Sequence, residues 1–281
     1  MAWYTKGTMY LGIDIGGTKT LIACLDGHGV IHERIKFPTP AVYGDFLIEV
    51  ANTVASLSTK EFVAAGVAIP GRIDRKQGIG VAFGNLHWHD VPIQRDIKRL
   101  VHCPVVIEND ANLAGLSEAM LLKDQFQKVL YLTISTGIGT GIVVNQTIDP
   151  AFADSEGGQI VLEYGDKLER WEHIASGKAI VERFGKQAHD ITDEKTWHII
   201  ARDIALGLAD LTAIIQPEVV VFGGGVDRYF ERFHDFLVEE LKKYETPLVP
   251  MPALRQAGRP DDAVAYGCYD LARSMYGKTH S

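Results

Sequence analysis

The first residues able to do chemistry form one short stretch. Asp14 closes an apolar run from Tyr10 to Ile13 and is followed by Gly16 and Gly17, then Thr18, Lys19 and Thr20, and a second apolar run to Leu25. The pattern predicts two strands around a tight polar turn. Adjacent glycines let a ligand approach the backbone. Such a turn can offer N–H groups to phosphate oxygens, with Thr18 and Lys19 beside them. Asp14, at the strand end, can hold a hydrated cation near those phosphates. An ordinary hairpin with a Gly-Gly turn has the same appearance, and the stretch matches neither a Walker A loop nor a dinucleotide-binding GxGxxG. Two more glycine turns follow apolar strands. GIGTG, with Gly137, Gly139 and Thr140, follows VLYLTIST, which ends at Thr136; Gly223, Gly224 and Gly225 follow EVVVF. Residues 129–144 repeat the organisation of residues 10–25: strand, glycine turn, strand. Duplicated halves facing a cleft are one way to build a two-substrate site.

The elements that must carry these turns alternate in type. Helical spacing runs from Tyr43 to Leu57, and Ile93 to Leu100 reads as a short helix. Ala111 to Leu122 is helix-like, with Asn109 or Asp110 as its cap. Further helices are predicted at Ile174 to Phe184, Trp197 to Ile215, Phe230 to Lys243 and Asp261 to Met275. Buried strands are predicted at Phe62 to Gly71 and Cys103 to Asp110. The Gly-rich stretch around Asn85, and residues 149–176, read as irregular. Strands alternating with helices predict an α/β protein with mostly parallel sheets, and in such folds ligands sit at the carboxyl ends of strands.

Composition narrows the partners. The chain has 281 residues, enough for one large domain or two ordinary ones. Its formal net charge of -8 argues against nucleic acid, whose backbone demands a clustered positive surface. Cys24, Cys103 and Cys268 are widely spaced, which suggests buried thiols in a reducing compartment. No pair has zinc-ligand spacing. MAWYTKGT lacks the apolar core of a signal peptide, no run has transmembrane length, and a cytoplasmic protein is the expectation. Lys278 to Ser281 are expected to fray.

Taken together in order and spacing, the motifs resemble those of the ROK family (repressor, open reading frame, kinase) of sugar kinases, within the sugar kinase, actin and heat-shock ATPase fold, which is ribonuclease H-like. DIGGTK at 14–19 is similar to its first phosphate motif, and STGIGTGIV at 135–143 to its second. AIPGRID at 68–74 and NLHWHDVPI at 85–93 look like its sugar-side loops. IENDANLAGLSE at 107–118 looks like the segment with the catalytic aspartate, and VVFGGGV at 220–226 like the turn at the adenosine end. The resemblance implies a smaller domain of residues 1–110, completed by 261–281, and a larger one of residues 111–260. It implies ATP and Mg2+, phosphoryl transfer to a hexose, and Asp110 as general base. Gly71, Asn85, Asn109, Glu156, Gln159 and Glu172 would line the sugar. Asp14, Gly16, Gly17, Thr18, Lys19, Thr136, Gly137, Gly139, Thr140 and Gly223 to Gly225 would serve the cofactor, with Asp14 holding Mg2+ through water. It also implies a homodimer.

The sequence departs from the family pattern in one region. Where members carry GE-x-GH and then a zinc-binding cysteine cluster, this chain has SEGGQ and YGDKLERWEHIASGKA. Gln159 stands for the histidine and no cysteine follows, so no zinc site is expected. Some short zinc-free relatives use polyphosphate as donor, which leaves a polyphosphate glucokinase as the alternative, beside an inactive sugar-binding protein. The family's regulators carry a DNA-binding domain at the N-terminus; thirteen residues before Asp14 are too few for one.

Overall fold

A computed structural model describes residues 9–277, so the readings of MAWYTKGT and of Lys278–Ser281 lie outside the described residues. The chain divides into two compact units: one runs up to Ser117 and resumes at Asp261, and the other is Glu118–Pro260.

The first unit is built on β1 (Tyr10–Ile15), β2 (Lys19–Leu25), β3 (Ile31–Pro38), α1 (Tyr43–Ser56) and β4 (Ala64–Ile69). It continues with β5 (Gly71–Asp74), β6 (Ile79–Phe83), β7 (His89–Val91), α2 (Ile93–Val101), β8 (Val105–Asn109) and the start of α3 (Asp110–Leu121). The main sheet has the order β3-β2-β1-β4-β8. β1 pairs antiparallel with β2 and parallel with β4, which pairs parallel with β8. Side chains alternate across the sheet. Leu11, Ile13 and Ile15 join Phe46, Val50, Ile93 and Ile97 of the helices on one face, whereas Tyr10 joins Ala265, Tyr269 and Ala272 on the other. Both faces are covered, so β1 and β4 read as continuous apolar runs. Edge strand β3 is half-exposed in alternation, as its sequence predicts.

The stretch expected to be irregular around Asn85 is instead a three-stranded antiparallel meander, β5-β6-β7. Its strands are too short, and too interrupted by glycine, to show a period of two. Trp88 is buried beneath it against Tyr43, Phe46 and Phe83, with its indole N–H on the Ala41 carbonyl at 2.8 Å.

The second unit contains β9 (Lys128–Ile134), β10 (Ile138–Val144), β11 (Thr147–Ile148), β12 (Val161–Tyr164), β13 (Lys167–Arg170), α4 (Trp171–Ala175) and α5 (Gly177–Phe184). It ends with α6 (Glu194–Ile215), β14 (Val219–Gly223), α7 (Phe230–Lys242) and β15 (Ala253–Gln256); α8 (Ala263–Tyr276) belongs to the first unit. Its sheet, β11-β10-β9-β14-β15, repeats the pattern of the first: an antiparallel hairpin followed by parallel strands. The repeat seen in the glycine turns is therefore a repeat of topology. Trp171, Trp197, Phe222 and Phe233 fill the core between this sheet and its helices.

Two other expectations need correction. Residues 149–176 are not all irregular, since β12 and β13 form a hairpin there. The single helix expected from Ile174 to Phe184 is two. The chain breaks at Ser176, whose hydroxyl accepts the Ala179 N–H at 3.2 Å to cap α5, while the Gly177 N–H leaves for the Ser135 carbonyl at 2.7 Å.

Candidate functional site

In the first unit the candidate residues converge because β1, β4 and β8 are parallel neighbours. Asp14 is opposite Ala68, and Ile69 is opposite Asn109. The carboxyl ends of the three strands thus deliver Asp14, Gly71 and the Asn109–Asp110 pair to one edge of the sheet. Gly16 to Thr18 form the turn of the β1–β2 hairpin. It is closed by Gly16 N–H to the Lys19 carbonyl at 3.0 Å. Thr39, just past β3, braces it, donating its hydroxyl to the Gly16 carbonyl at 2.7 Å and lying 2.9 Å from the Thr20 hydroxyl. No local pattern marks Thr39, which reaches the turn only through β2–β3 pairing. Asn85 lies against this turn, since a methyl group at Gly17 would sit 2.8 Å from its Cβ. Lys19 is exposed at the start of β2.

Either Asn109 or Asp110 was expected to cap the helix, and Asn109 does so. Its Oδ1 accepts the N–H groups of Ala111 and Asn112 at 2.9 and 3.3 Å, and its Nδ2 donates to the Gly71 carbonyl at 3.3 Å. Asp110 is the first helical residue. One oxygen, Oδ1, accepts the Ala111 N–H at 2.9 Å. Burial pushes the Asp110 carboxyl up to about 6, against the pull of that backbone bond. Asp14 is pushed up to about 7 by burial and then by the charge of Asp110, with Lys36 opposing. Two nearby carboxylates that resist ionising together form a place where a divalent cation is welcome. No group of three metal-ligating side chains exists among the described residues, so a cation here would keep water and phosphate oxygens as its other ligands.

In the second unit, Thr136 is exposed at the β9–β10 turn and Gly139 is half-buried in β10. Glu172 lies against Gly137, where a methyl group would be 2.8 Å from its Oε2. Gln159 donates its amide to Glu172 Oε1 at 2.6 Å. The buried Trp171 anchors that end of α4, its indole N–H on the Asp203 carbonyl at 3.0 Å. Thr140 is buried, and its hydroxyl accepts the Gly157 N–H at 3.1 Å, so it holds the SEGGQ segment that carries Glu156. The same hydroxyl donates to the Ser155 carbonyl at 3.4 Å. Gly223 and Gly224 answer to packing: added methyl groups would meet the Tyr131 hydroxyl at 2.0 Å and the Ile134 carbonyl at 2.6 Å, and Gly224 has φ +90°. Gly225 alone of the three faces open space. The two units thus present one candidate cluster each.

A family model described as the ROK family matches residues 10–275. The chain belongs to the ROK family. A glucokinase of Streptomyces coelicolor is 27% identical over 94% of this chain and 97% of that protein. An N-acetyl-D-glucosamine kinase of Salmonella paratyphi A is 27% identical over 90% of this chain and 95% of its own. A solved ROK family glucokinase from Streptomyces griseus, in complex with glucose and AMPPNP, superposes with a TM-score of 0.78 at 26% identity, covering 95% of this chain and 99% of that one. This ROK kinase has the sugar kinase, actin and heat-shock ATPase fold and lacks a zinc-binding cysteine cluster: its three cysteines are all buried and stand apart. No helix among the described residues is long and apolar enough to cross a membrane.

Proposed function

We propose that this ROK-family sugar kinase transfers the γ-phosphoryl group of ATP to a hydroxyl of a hexose or hexose derivative, with Asp110 as general base. One observation carries the reading. Asn109 takes over the capping of α3, and burial lifts the Asp110 carboxyl to about 6, where a base works best near neutral pH. Asp110 orients the attacking hydroxyl and accepts its proton as the new O–P bond forms and the bond to ADP breaks. Asn85, Asn109, Glu156, Gln159 and Glu172 hydrogen-bond the remaining hydroxyls. Gln159 holds the Glu172 carboxylate through its amide and so acts on the sugar both directly and through that neighbour.

Gly16, Gly17, Thr18 and Lys19 serve the phosphates together with Thr136, Gly137 and Gly139, and Gly225 admits the adenosine. Asp14 holds Mg2+, which neutralises phosphate charge when bound. The glucose and N-acetylglucosamine kinases among the relatives, and the AMPPNP held by one, support a hexose acceptor and a nucleotide donor. The working form in this reading is a homodimer, and a monomer in sedimentation at micromolar concentration would refute that part.

The deciding experiment follows ADP release across a panel of hexoses, with polyphosphate as the competing donor. ATP-driven turnover on at least one hexose is expected. Sugar binding without turnover from either donor would make the protein a sugar-binding regulator instead.

A further inference from the structure

The residue before the Asn109–Asp110 pair is Glu108, a buried carboxylate. Arg75 meets it as a two-pronged fork, with Nε donating to Oε2 at 2.7 Å and Nη2 to Oε1 at 2.5 Å. Oε1 also accepts the Asn109 backbone N–H at 2.7 Å and the Asn112 side-chain amide at 3.0 Å. One carboxylate therefore gathers donors from the first turn of α3 and from the β5–β6 turn. That turn is itself fixed, because Asp74 accepts the Gln77 N–H at 2.9 Å and its side-chain amide at 2.8 Å. At the other end of β5, the Gly71 carbonyl accepts from Asn109. The meander is thus tied to the β8–α3 junction at both ends of β5, and Asn85 lies within that same meander, in the β6–β7 connection.

Apolar packing already holds the meander, since Ile73, Phe83, Leu86 and Trp88 are buried in one cluster. A buried ion pair is a poor source of stability, because desolvating its charges offsets most of their attraction. What it supplies is fixed geometry, since a planar guanidinium on a carboxylate permits only one arrangement. We propose that Arg75 and Glu108 are positioning residues for phosphoryl transfer: they hold the Asp110 carboxylate and the Asn85 segment in register with each other. The proposal rests on Asp110 being the base.

The test compares Glu108→Gln, Arg75→Met, the double variant and Arg75→Lys, measuring melting temperature, kcat, and KM for sugar and ATP. Arg75→Met leaves a buried carboxylate without its guanidinium and should melt early. The double variant removes both charges, while the glutamine oxygen still accepts from Asn109 and Asn112, so it should melt near the parent. Its kcat should nevertheless fall about 10–100-fold, the usual effect of a misplacement of about 1 Å, with KM for ATP unchanged. Arg75→Lys should recover stability better than turnover, since an ammonium cannot form the fork. A double variant with parental kcat and sugar KM overturns the proposal. So does an activity loss that disappears whenever melting recovers. Normal turnover in Asp110→Asn would sink the base assignment and the proposal with it, whereas a double variant at parental kcat beside an inactive Asp110→Asn sinks the proposal alone. Should the parent itself lack turnover, amide hydrogen exchange at Asn109, Ala111 and Asn112 decides: faster exchange in the well-folded double variant supports the pair, and unchanged exchange overturns it.

Discussion

At the scale of single residues, the base role proposed for Asp110 would couple activity to stability. Its carboxyl rises from the ordinary 3.8 to about 6 because burial disfavours the charge. The folded chain therefore binds this proton more tightly than the unfolded chain. The associated stability is complete below 3.8 and is lost as pH rises through about 6. Asp110→Asn abolishes that penalty, so it should raise stability at neutral pH by about 2–3 kcal/mol while lowering turnover about 10²–10⁴-fold. Thermal melting and steady-state kinetics on one preparation check both. Near-normal turnover in this variant would move the base to another carboxylate, with Glu156 first. The pH profile gives a second check. Turnover should fall on the acid side of about 6 as Asp110 takes up its proton, and a rate flat from pH 5 to 8 would contradict the role.

At the scale of elements, Glu172 owes its place to Trp171. A methyl group on Gly207 of α6 would stand 2.1 Å from the Trp171 ring. Gly207→Ala should therefore push the start of α4 off α6. The expected cost is about 1–3 kcal/mol, typical of overpacking, with a raised sugar KM and little change in KM for ATP. Melting and kinetics together test it; loss of stability with an unchanged sugar KM would show that Glu172 does not depend on this contact. The Thr140 hydroxyl works similarly on the SEGGQ segment. Thr140→Val keeps the shape but strands the buried Gly157 N–H, at a cost of about 1–3 kcal/mol.

At the scale of the whole molecule, the absence of a cysteine cluster has a direct consequence. Burial pushes the Cys24 thiol up to about 12 and Cys103 to about 11, so neither offers a thiolate at neutral pH. Chelation followed by excess Mg2+ should leave turnover intact, and metal analysis should find no stoichiometric zinc. Zinc near one per chain would show that the segment from Ser155 to Glu172 binds metal without cysteine. A side-chain network braces the β12–β13 hairpin. Buried Asp203 takes Arg183 at 2.6 Å, Arg202 at 2.9 Å and the Tyr164 hydroxyl at 3.2 Å.

Sequence alone determined the α/β class, the doubled strand-turn-strand arrangement and the family, because continuous apolar strands, amphipathic helices and glycine turns are local signals. The positions of Asp14 near the end of β1 and of Asp110 just after β8 were legible for the same reason. The tertiary structure decided what local signals cannot carry. It made Asn109 the cap in place of Asp110, because only the path from β8 into α3 fixes which oxygen meets the free N–H groups. It turned Gly223 and Gly224 into packing residues through contacts with Tyr131 and Ile134, about ninety residues away. It joined the Thr140 hydroxyl to the SEGGQ segment and paired Arg75 with Glu108. Each outcome depends on groups distant in sequence meeting in a low-dielectric interior, where unmet hydrogen bonds and charges cost most.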